Sequence, residues 1–492
     1  MLVYLQWSSR KNYPTNKTPK ENNMSVEQLS ASGQPITHVS KRGIWGWMFF
    51  DWASQPFHTL LITFIFARYF AAEVAPDAAT GQIWWGYMLA ISGVTIAVLS
   101  PILGSIADAT GPRKPWIAVF TIFYVIGSAY LWYAVPGGGS MVFWVLFAFG
   151  LGMIGLEFAT VFNNAIMPDL VTRSTLGRLS GSSWALGYIG GLVALVFVLL
   201  ALVESSPGSG KTLIGISPIL GLDQIARGGE RAVGPLTALW FIIFIIPFFL
   251  FTPDIKKPTK VKGAVAKGIS DLFQTIKNLP NNKSMFAYLG SSMFYRDALN
   301  GLYGFGGIYA GGVLKWEATQ LGVFGLLTLV TGALGAWFGG RADDKSGPKK
   351  VIVTSIIALI IVCIAIVTTD RQTLLMIPIK DMSGPFAAPD ILFYICGAVI
   401  GAAGGALQAA SRTLMVDQAD EGDMTQAFGL YALSGKATSF IAPTLVAFVT
   451  GTVGLGMLGL SSTEAQRLGI SPLIGLFIIG LVLLPWVKQR HD

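Results

Sequence analysis

The sequence predicts an all-α membrane protein, twelve transmembrane helices in two related halves, and three observations predict it. Long apolar segments recur along 492 residues of which 53% are hydrophobic and only 12% charged, with mean hydropathy +0.60. About 20 apolar residues span the hydrocarbon as a helix, and backbone groups cannot stay unpaired in lipid, so these segments are helical. The turn Gly104-Ser-Ile-Ala-Asp108-Ala-Thr-Gly111-Pro112-Arg113-Lys114 recurs 236 residues later as Gly340-Arg-Ala-Asp-Asp344-Lys-Ser-Gly347-Pro348-Lys349-Lys350. Each copy reads Gly-x-x-x-Asp-x-x-Gly-Pro-basic-Lys, and duplicated halves are how many transporters are built. Finally, with residues at span ends counted in the adjoining loops, 24 Lys and Arg fall on the side of the N-terminal tail, 7 on the opposite side and 3 within spans. Positive charge stays on the cytoplasmic side, which puts both turns, both termini and the central linker in the cytoplasm.

Taken in order, residues 1–44 form a polar cytoplasmic tail with Lys17, Lys20, Lys41 and Arg42 and no apolar core long enough for a cleaved signal peptide; Met24 is an equally good start. The first half, 45–252, holds spans at 45–71, 83–107, 115–135, 141–167, 177–203 and 234–252. A basic linker, 253–283, comes next with seven lysines, and in it Val265, Ile269, Leu272, Phe273 and Ile276 recur at helical spacing while Lys267, Asp271 and Lys277 lie elsewhere. That pattern predicts a short interfacial helix, the alternative being a solvated connector. The second half, 284–488, holds spans at 284–311, 318–340, 350–369, 389–415, 426–452 and 471–487. Fifty-eight glycines suit close packing of helices in lipid.

Several function classes drop out. Net charge +8 is spread over short loops rather than one patch, so no nucleic-acid partner is expected. Cys363 and Cys396 lie inside apolar runs, which argues against a disulfide framework or a Cys-rich metal site. Ser205-Ser-Pro-Gly-Ser-Gly210-Lys211-Thr212 imitates a phosphate loop but starts with Ser, has no strand before it and faces away from cytosolic nucleotide. Gly304-Phe-Gly306 lies within a span, where helix packing explains it. Asn16-Lys-Thr18 fits a glycosylation pattern in a tail that is not exposed to glycosylation. His38, His58 and His491 are too scattered for a catalytic cluster; no enzyme activity, cofactor or metal is expected.

Ionisable groups within spans are costly and are functional hypotheses by default. In span 1, Asp51, Gln55 and His58 share one helix face beside Pro56; in span 4, Glu157, Thr160 and Asn164 do so, flanked by Asn163. Span 7 carries Asp297, Asn300 and Gly304 on one face with Tyr295 and Arg296 adjacent, span 10 carries Gln408 and Arg412, and span 11 carries Lys436. Asp51 and Arg68 lie near span ends, where packing or snorkelling explains them as well as function does. Glu157, Asp297 and Lys436 lie deeper, where solvation cost favours lining a path.

With two such turns, after spans 2 and 8, the chain resembles the major facilitator superfamily over essentially all twelve spans. That family usually shows Asp-Arg-x-Gly-Arg-Arg at the turn, whereas Ala109 and Lys345 come after the aspartates here. Phe50-Asp51-Trp52-Ala53-Ser54-Gln55-Pro56-Phe57, Phe305-Gly306-Gly307-Ile308-Tyr309, Gln408-Ala-Ala-Ser411-Arg412 and Phe428-Gly-Leu-Tyr431-Ala-Leu-Ser434-Gly435-Lys436-Ala-Thr438 resemble the branch of the fungal autophagic-vacuole amino-acid effluxer. Asn163 and Arg296 stand where an aromatic and a small polar residue would be expected. The resemblance implies two pseudo-symmetric six-helix bundles around a cavity lined by spans 1, 4, 7 and 10, rocking to alternate access. It implies a cytoplasmic gate of Gly104, Asp108, Gly111, Arg113, Lys114, Gly340, Asp344, Gly347, Lys349 and Lys350, with Asp108, Asp344 and the basic residues in charge contacts.

These residues together point to a secondary active transporter, a monomer in a bacterial inner (plasma) membrane, in contact with lipids and coupled to protons if Glu157 or Asp297 titrates. Its substrate is a small polar metabolite, an amino acid being the leading class. The expected path residues are Asp51, His58, Glu157, Asn163, Asn164, Arg296, Asp297, Asn300, Gln408 and Lys436. Alternatives are a drug or lipophile exporter and a non-transporting sensor or scaffold.

Overall fold

A computed structural model describes residues 29–33, 39–205, 208–254, 263–316, 318–379, 387–420 and 422–489. Asn16, Lys17, Thr18, Lys20, Met24, His38, His491 and four of the linker lysines lie outside the described residues. Among those described, eleven helices are long and apolar enough to cross a membrane: Lys41–Val74, Thr80–Thr110, Lys114–Tyr133, Gly139–Leu170, Arg173–Ala201, Gly228–Phe251, Gln320–Ser346, Pro348–Val367, Ala388–Gln418, Met424–Met457 and Ser462–Trp486. A twelfth, Lys283–Gly312, has the length at 30 residues, but Arg296, Asp297 and Asn300 in its middle make it too polar to qualify alone. In chain order these are spans 1 to 12, with Lys283–Gly312 as span 7.

They form two six-helix bundles. In the first, span 1 lies against spans 5 and 6, and span 4 against spans 2 and 3; in the second, span 10 packs on spans 8 and 9, and span 7 on spans 11 and 12. Aromatic rings fill the first core: Phe57 meets Tyr124 at 5.3 Å between centroids, and Tyr124 meets Phe241 at 4.2 Å. Ile83, Tyr87, Ile91, Val94 and Val98 form an exposed apolar stripe on span 2, the surface that lipid covers.

Two seams join the bundles, span 2 on span 11 and span 5 on span 8. Backbones meet there closely. A Cβ on Gly104 would stand 2.5 Å from the Thr425 carbonyl oxygen, and one on Gly181 would stand 2.3 Å from that of Ala336. Small residues are what allow two helices to approach this far.

Proline shapes two of the spans. Span 1, expected over 45–71, begins as an α-helix at Lys41–Pro56 and continues from Phe57 to Phe64 as a π-helix. Pro56 has no N–H to give the Trp52 carbonyl four residues earlier; Trp240 supplies one instead, its indole nitrogen 3.2 Å from that oxygen. Span 11, expected as one segment over 426–452, is Met424–Ala437, a turn, then Ile441–Phe448 running into a π-helix at Val449–Met457. The turn falls where Pro443 would collide with the carbonyl four residues before it, that of Ser439.

Span 6, expected over 234–252, also starts earlier, at Gly228, within the segment that separates it from span 5. Glu230 pairs with Arg227 at 2.5 Å and Arg231 donates to the Trp132 carbonyl at 2.8 Å, so charges that read as loop residues are satisfied within the first turns. In the linker, Ala264–Asn278 is a helix lying against span 2. Ser105 donates to the Gly268 carbonyl at 2.5 Å and Leu272 is buried, while Val265, Ile269, Phe273 and Ile276 stay exposed. A two-stranded hairpin, Thr373–Leu374 with Ile377–Pro378, closes the loop between spans 9 and 10.

Candidate functional site

The bundles are held together by three tiers of polar contact, beginning at the face that carries the repeat turns. There Asp108, at the end of span 2, accepts from the backbone N–H groups of Thr425 (3.2 Å) and Gln426 (2.8 Å) at the start of span 11. Asp344, at the end of span 8, accepts from the N–H of Arg178 (3.1 Å) at the start of span 5, whose side chain lies 3.3 Å away. Each turn aspartate thus caps the N-terminus of the other bundle's fifth helix, where unpaired N–H groups and the helix dipole favour negative charge. Arg113 is buried between the halves: it lies 3.6 Å from Asp108 and 2.7 Å from Asp169, and donates to the Thr425 hydroxyl at 2.9 Å.

The lysines of the turns act differently from the expected charge contacts. Lys114 donates to the Phe249 carbonyl at the end of span 6 (3.0 Å), and Lys349 to the Val487 carbonyl past span 12 (2.8 Å). Both therefore cap carbonyl ends within their own bundle, because the chain reverses at Gly111 and Gly347 (φ +102° and +82°) and brings Lys114 and Lys349 to the sixth helix of their half. Lys350 is exposed and forms none of the ion pairs among the described residues.

Sequence reasoning missed a further clasp at this face. Arg173 grips Asp417 with two bonds of 2.7 Å, and Asp343, fully buried, takes the Thr413 hydroxyl. Arg173 and Asp417 stand at span ends, where charged residues are ordinary, so nothing marked them as a pair. Ser180 was also missed; it donates to the Ala409 carbonyl at 2.8 Å.

One step deeper, Asp51 of span 1 meets Arg412 of span 10 at 3.0 Å and takes the Ser183 hydroxyl at 2.6 Å. Arg412 also donates to the Ser180 carbonyl at 2.7 Å and to Asn164 Oδ1 at 3.3 Å, and its guanidinium lies over the rings of Trp47 and Trp184. Asp51 and Asn164, expected on the path, are thus parts of a bridge between bundles. Asn163 is fully buried with neither side-chain atom partnered; only its carbonyl is used, by the Trp47 indole at 2.8 Å.

The third tier lies mid-membrane. Lys436 of span 11 donates to Glu157 of span 4 at 2.8 Å, their side chains 21% and 20% exposed. His58 is near enough to feel both charges, and Arg296 is near enough to act on Glu157. Arg296 donates to the Tyr431 carbonyl at 2.8 Å and stacks 4.1 Å from that ring. Asp297 is 1% exposed and takes the N–H of Ala442 at 2.8 Å, capping the second piece of the broken span 11. Gln408 donates to the Tyr188 hydroxyl at 3.2 Å, across the bundles. Asn300 is exposed, and at Gly304 and Gly307 a Cβ would meet only open space.

Among the described residues, the hydrogen bonds and ion pairs joining the bundles gather at the turn face and rise no higher than the Lys436–Glu157 and Gln408–Tyr188 contacts. On the far half the bundles approach through Phe64, whose ring would stand 2.8 Å from a Cβ on Gly325. The molecule is clasped on one side of a mid-membrane polar cluster.

Comparison with known proteins agrees with this architecture. The family described as "Vacuole effluxer Atg22 like" matches residues 84–492. The chain is 25% identical over 451 residues to the uncharacterized MFS-type transporter YxiO of Bacillus subtilis (strain 168), covering 90% of this chain and 94% of that one. It is 22% identical over 298 residues to Autophagy-related protein 22-1 of Neosartorya fischeri, where the match spans 56% of this chain and 44% of the fungal one. Among solved structures it resembles the major facilitator superfamily transporter FucP in the outward conformation, with TM-score 0.65 and 14% identity over 91% of this chain and 99% of that one. The chain is an integral multi-pass membrane protein of the Atg22-like vacuole effluxer family, a secondary transporter of the major facilitator superfamily.

Proposed function

We propose that this transporter carries a small polar metabolite, an amino acid being the leading class, by alternating access coupled to protons. One observation carries the reading: Lys436 and Glu157, from opposite bundles, meet at 2.8 Å in the middle of the membrane while both remain partly exposed. A charged pair at that depth is costly unless it serves a path, and a zwitterion offers each member a replacement partner: carboxylate for Lys436, ammonium for Glu157. Releasing the pair loosens the contact between spans 4 and 11, which joins ligand binding to movement of the bundles. His58, Asn300 and Gln408 complete the polar surroundings, and the two tiers nearer the turns act as the gate on that side. The turn face is cytoplasmic in this reading, supported by the excess of Lys and Arg there, so the conformation described is open away from the cytoplasm. A bacterial inner membrane and a monomer complete the proposal.

The test is transport in proteoliposomes with a panel of amino acids, sugars, organic acids and hydrophobic dyes under an imposed proton gradient. One charge moving through 100 mV is worth about 2.3 kcal/mol, roughly fifty-fold in concentration ratio. The expected result is gradient-driven accumulation of an amino acid that Glu157→Gln abolishes, while counterflow persists at lower affinity because the amide oxygen still accepts from the ammonium. Driven transport unchanged in Glu157→Gln would overturn the coupling, and transport of dyes alone would overturn the substrate class.

A further inference from the structure

A second site lies away from the central cluster, on the flank of the molecule where spans 1, 5 and 8 meet. It is a groove of about 470 Å³ near the turn face, with Trp45, Ile189 and Trp337 at its mouth and Met48, Leu179 and Ala185 along its wall. Trp45, Ile189 and Trp337 are 53%, 43% and 39% exposed, so the groove opens sideways onto the belt that lipid covers, not into the space between the bundles.

Two arginines stand over its turn-side end, one from each bundle. Arg178 begins span 5 with its side chain 58% exposed and its Nε 3.3 Å from Asp344. Arg341 stacks 3.4 Å above the Trp337 ring and donates to the Trp337 carbonyl at 2.9 Å. The two guanidiniums are close enough to repel, and Asp344 is within reach of both; Arg173, which also acts on Asp344, is already held by Asp417. Two positive charges against one negative leave the end of the groove in need of an anion.

The dimensions say which anion. From Arg178 to Ile189 the groove runs along eleven residues of helix, about 16 Å at 1.5 Å per residue, and half of a ~30 Å hydrocarbon layer is about 15 Å. A small anion would satisfy the arginines and leave the apolar wall bare; a phospholipid satisfies both. We propose that this groove holds one anionic phospholipid of the turn-side leaflet, its phosphodiester between Arg178 and Arg341 and one acyl chain lying along Leu179, Ala185 and Ile189. Because the two arginines belong to different bundles, the bound lipid straddles the seam of spans 5 and 8 and favours the state in which that seam is closed.

Native mass spectrometry of the purified full chain, stripped of lipid and offered phosphatidylglycerol or phosphatidylcholine, tests this. A basic residue at the membrane surface is worth about fivefold in affinity for anionic lipid, and with Asp344 offsetting one of the two the expected preference for one retained phosphatidylglycerol is about fivefold. Arg341→Gln is expected to weaken retention about fivefold, and Ser182→Phe, which fills the groove and leaves both arginines, to weaken it as much or more. Lys345→Gln, one turn away and exposed, is the control and should change nothing. Equal retention of the two lipids by the wild-type chain, a comparison that requires no variant to fold, would overturn the proposal. So would wild-type retention in either groove variant, or a loss in Lys345→Gln equal to that in Arg341→Gln.

Discussion

The indole N–H of Trp240 occupies the hydrogen-bonding place that Pro56 vacates on the Trp52 carbonyl, 3.2 Å away. A residue of span 6 thereby completes the backbone of span 1 at its bend, inside a membrane where no water can do so. Trp240→Phe keeps an aromatic ring beside Trp52 and Phe244 but leaves the oxygen bare, a loss of about 1–3 kcal/mol. In the Pro56→Ala background the helix restores its own bond, so the same substitution there should cost about 1 kcal/mol less. A double-mutant cycle on denaturant unfolding measures this; equal costs in both backgrounds would show that the bond is idle.

The Arg173–Asp417 clasp is bidentate, and the Asp417 side chain is fully buried. Arg173→Ala leaves that carboxylate without its cation, a change that costs about 3–5 kcal/mol at buried pairs. Because the partners belong to different bundles, the loss falls on the turn-closed state. A cysteine placed at Asn300 should label more slowly with an impermeant maleimide from the side opposite the turns, as the population shifts towards turn-open molecules. Unchanged labelling would mean that the clasp does not hold the gate.

Asp297 caps the break in span 11 through Ala442. As a cap it is replaceable by any side-chain acceptor, so Asp297→Asn should retain most of the stability that Asp297→Ala loses, about 1 kcal/mol. As a proton carrier it is not, and both variants should then lose driven transport alike. Thermal stability and gradient-driven uptake, measured on the two variants side by side, separate these roles.

Asp370, in the loop after span 9, contributes stability that acid removes. Burial pushes its carboxyl up, but N–H bonds from Gln372 and Thr373 and the charge of Arg467 outweigh it and hold the group below the ordinary carboxylate range. A depressed folded value means stabilisation that is complete above the unfolded value, about 3.9, and is lost as pH falls through the folded one. Melting temperatures between pH 6 and pH 3 should therefore fall less steeply in Asp370→Asn than in the wild type, with the two curves converging at the acid end.

The twelve spans and their doubling were legible because lipid imposes a length and a composition, and because the turns at Gly104 and Gly340 share one spacing of glycine, aspartate, proline and lysine. Glu157 and Lys436 stood out for the same reason: a charge inside an apolar run is conspicuous. Their pairing was not legible, since the partners lie 279 residues apart and no local pattern links them. The lysines of the turns were misjudged because adjacency to an aspartate suggests attraction, whereas the reversal at glycine directs Lys114 and Lys349 to helix ends within their own half. The break in span 11 was written in Pro443, yet where a proline bends a helix depends on which neighbour takes up the freed groups, and Asp297 lies on another span.

If the bundles rock as proposed, the reciprocal capping by Asp108 and Asp344 makes the turn face a toggle rather than a hinge that yields by degrees. Each aspartate loses its helix end the moment the bundles part, and the pseudo-twofold relation makes both losses coincide. A carboxylate at a helix N-terminus is worth between a few tenths and about 2 kcal/mol, so neither cap alone would bar leakage. Released together they set a threshold of a few kcal/mol, large enough to keep the empty protein shut on that side.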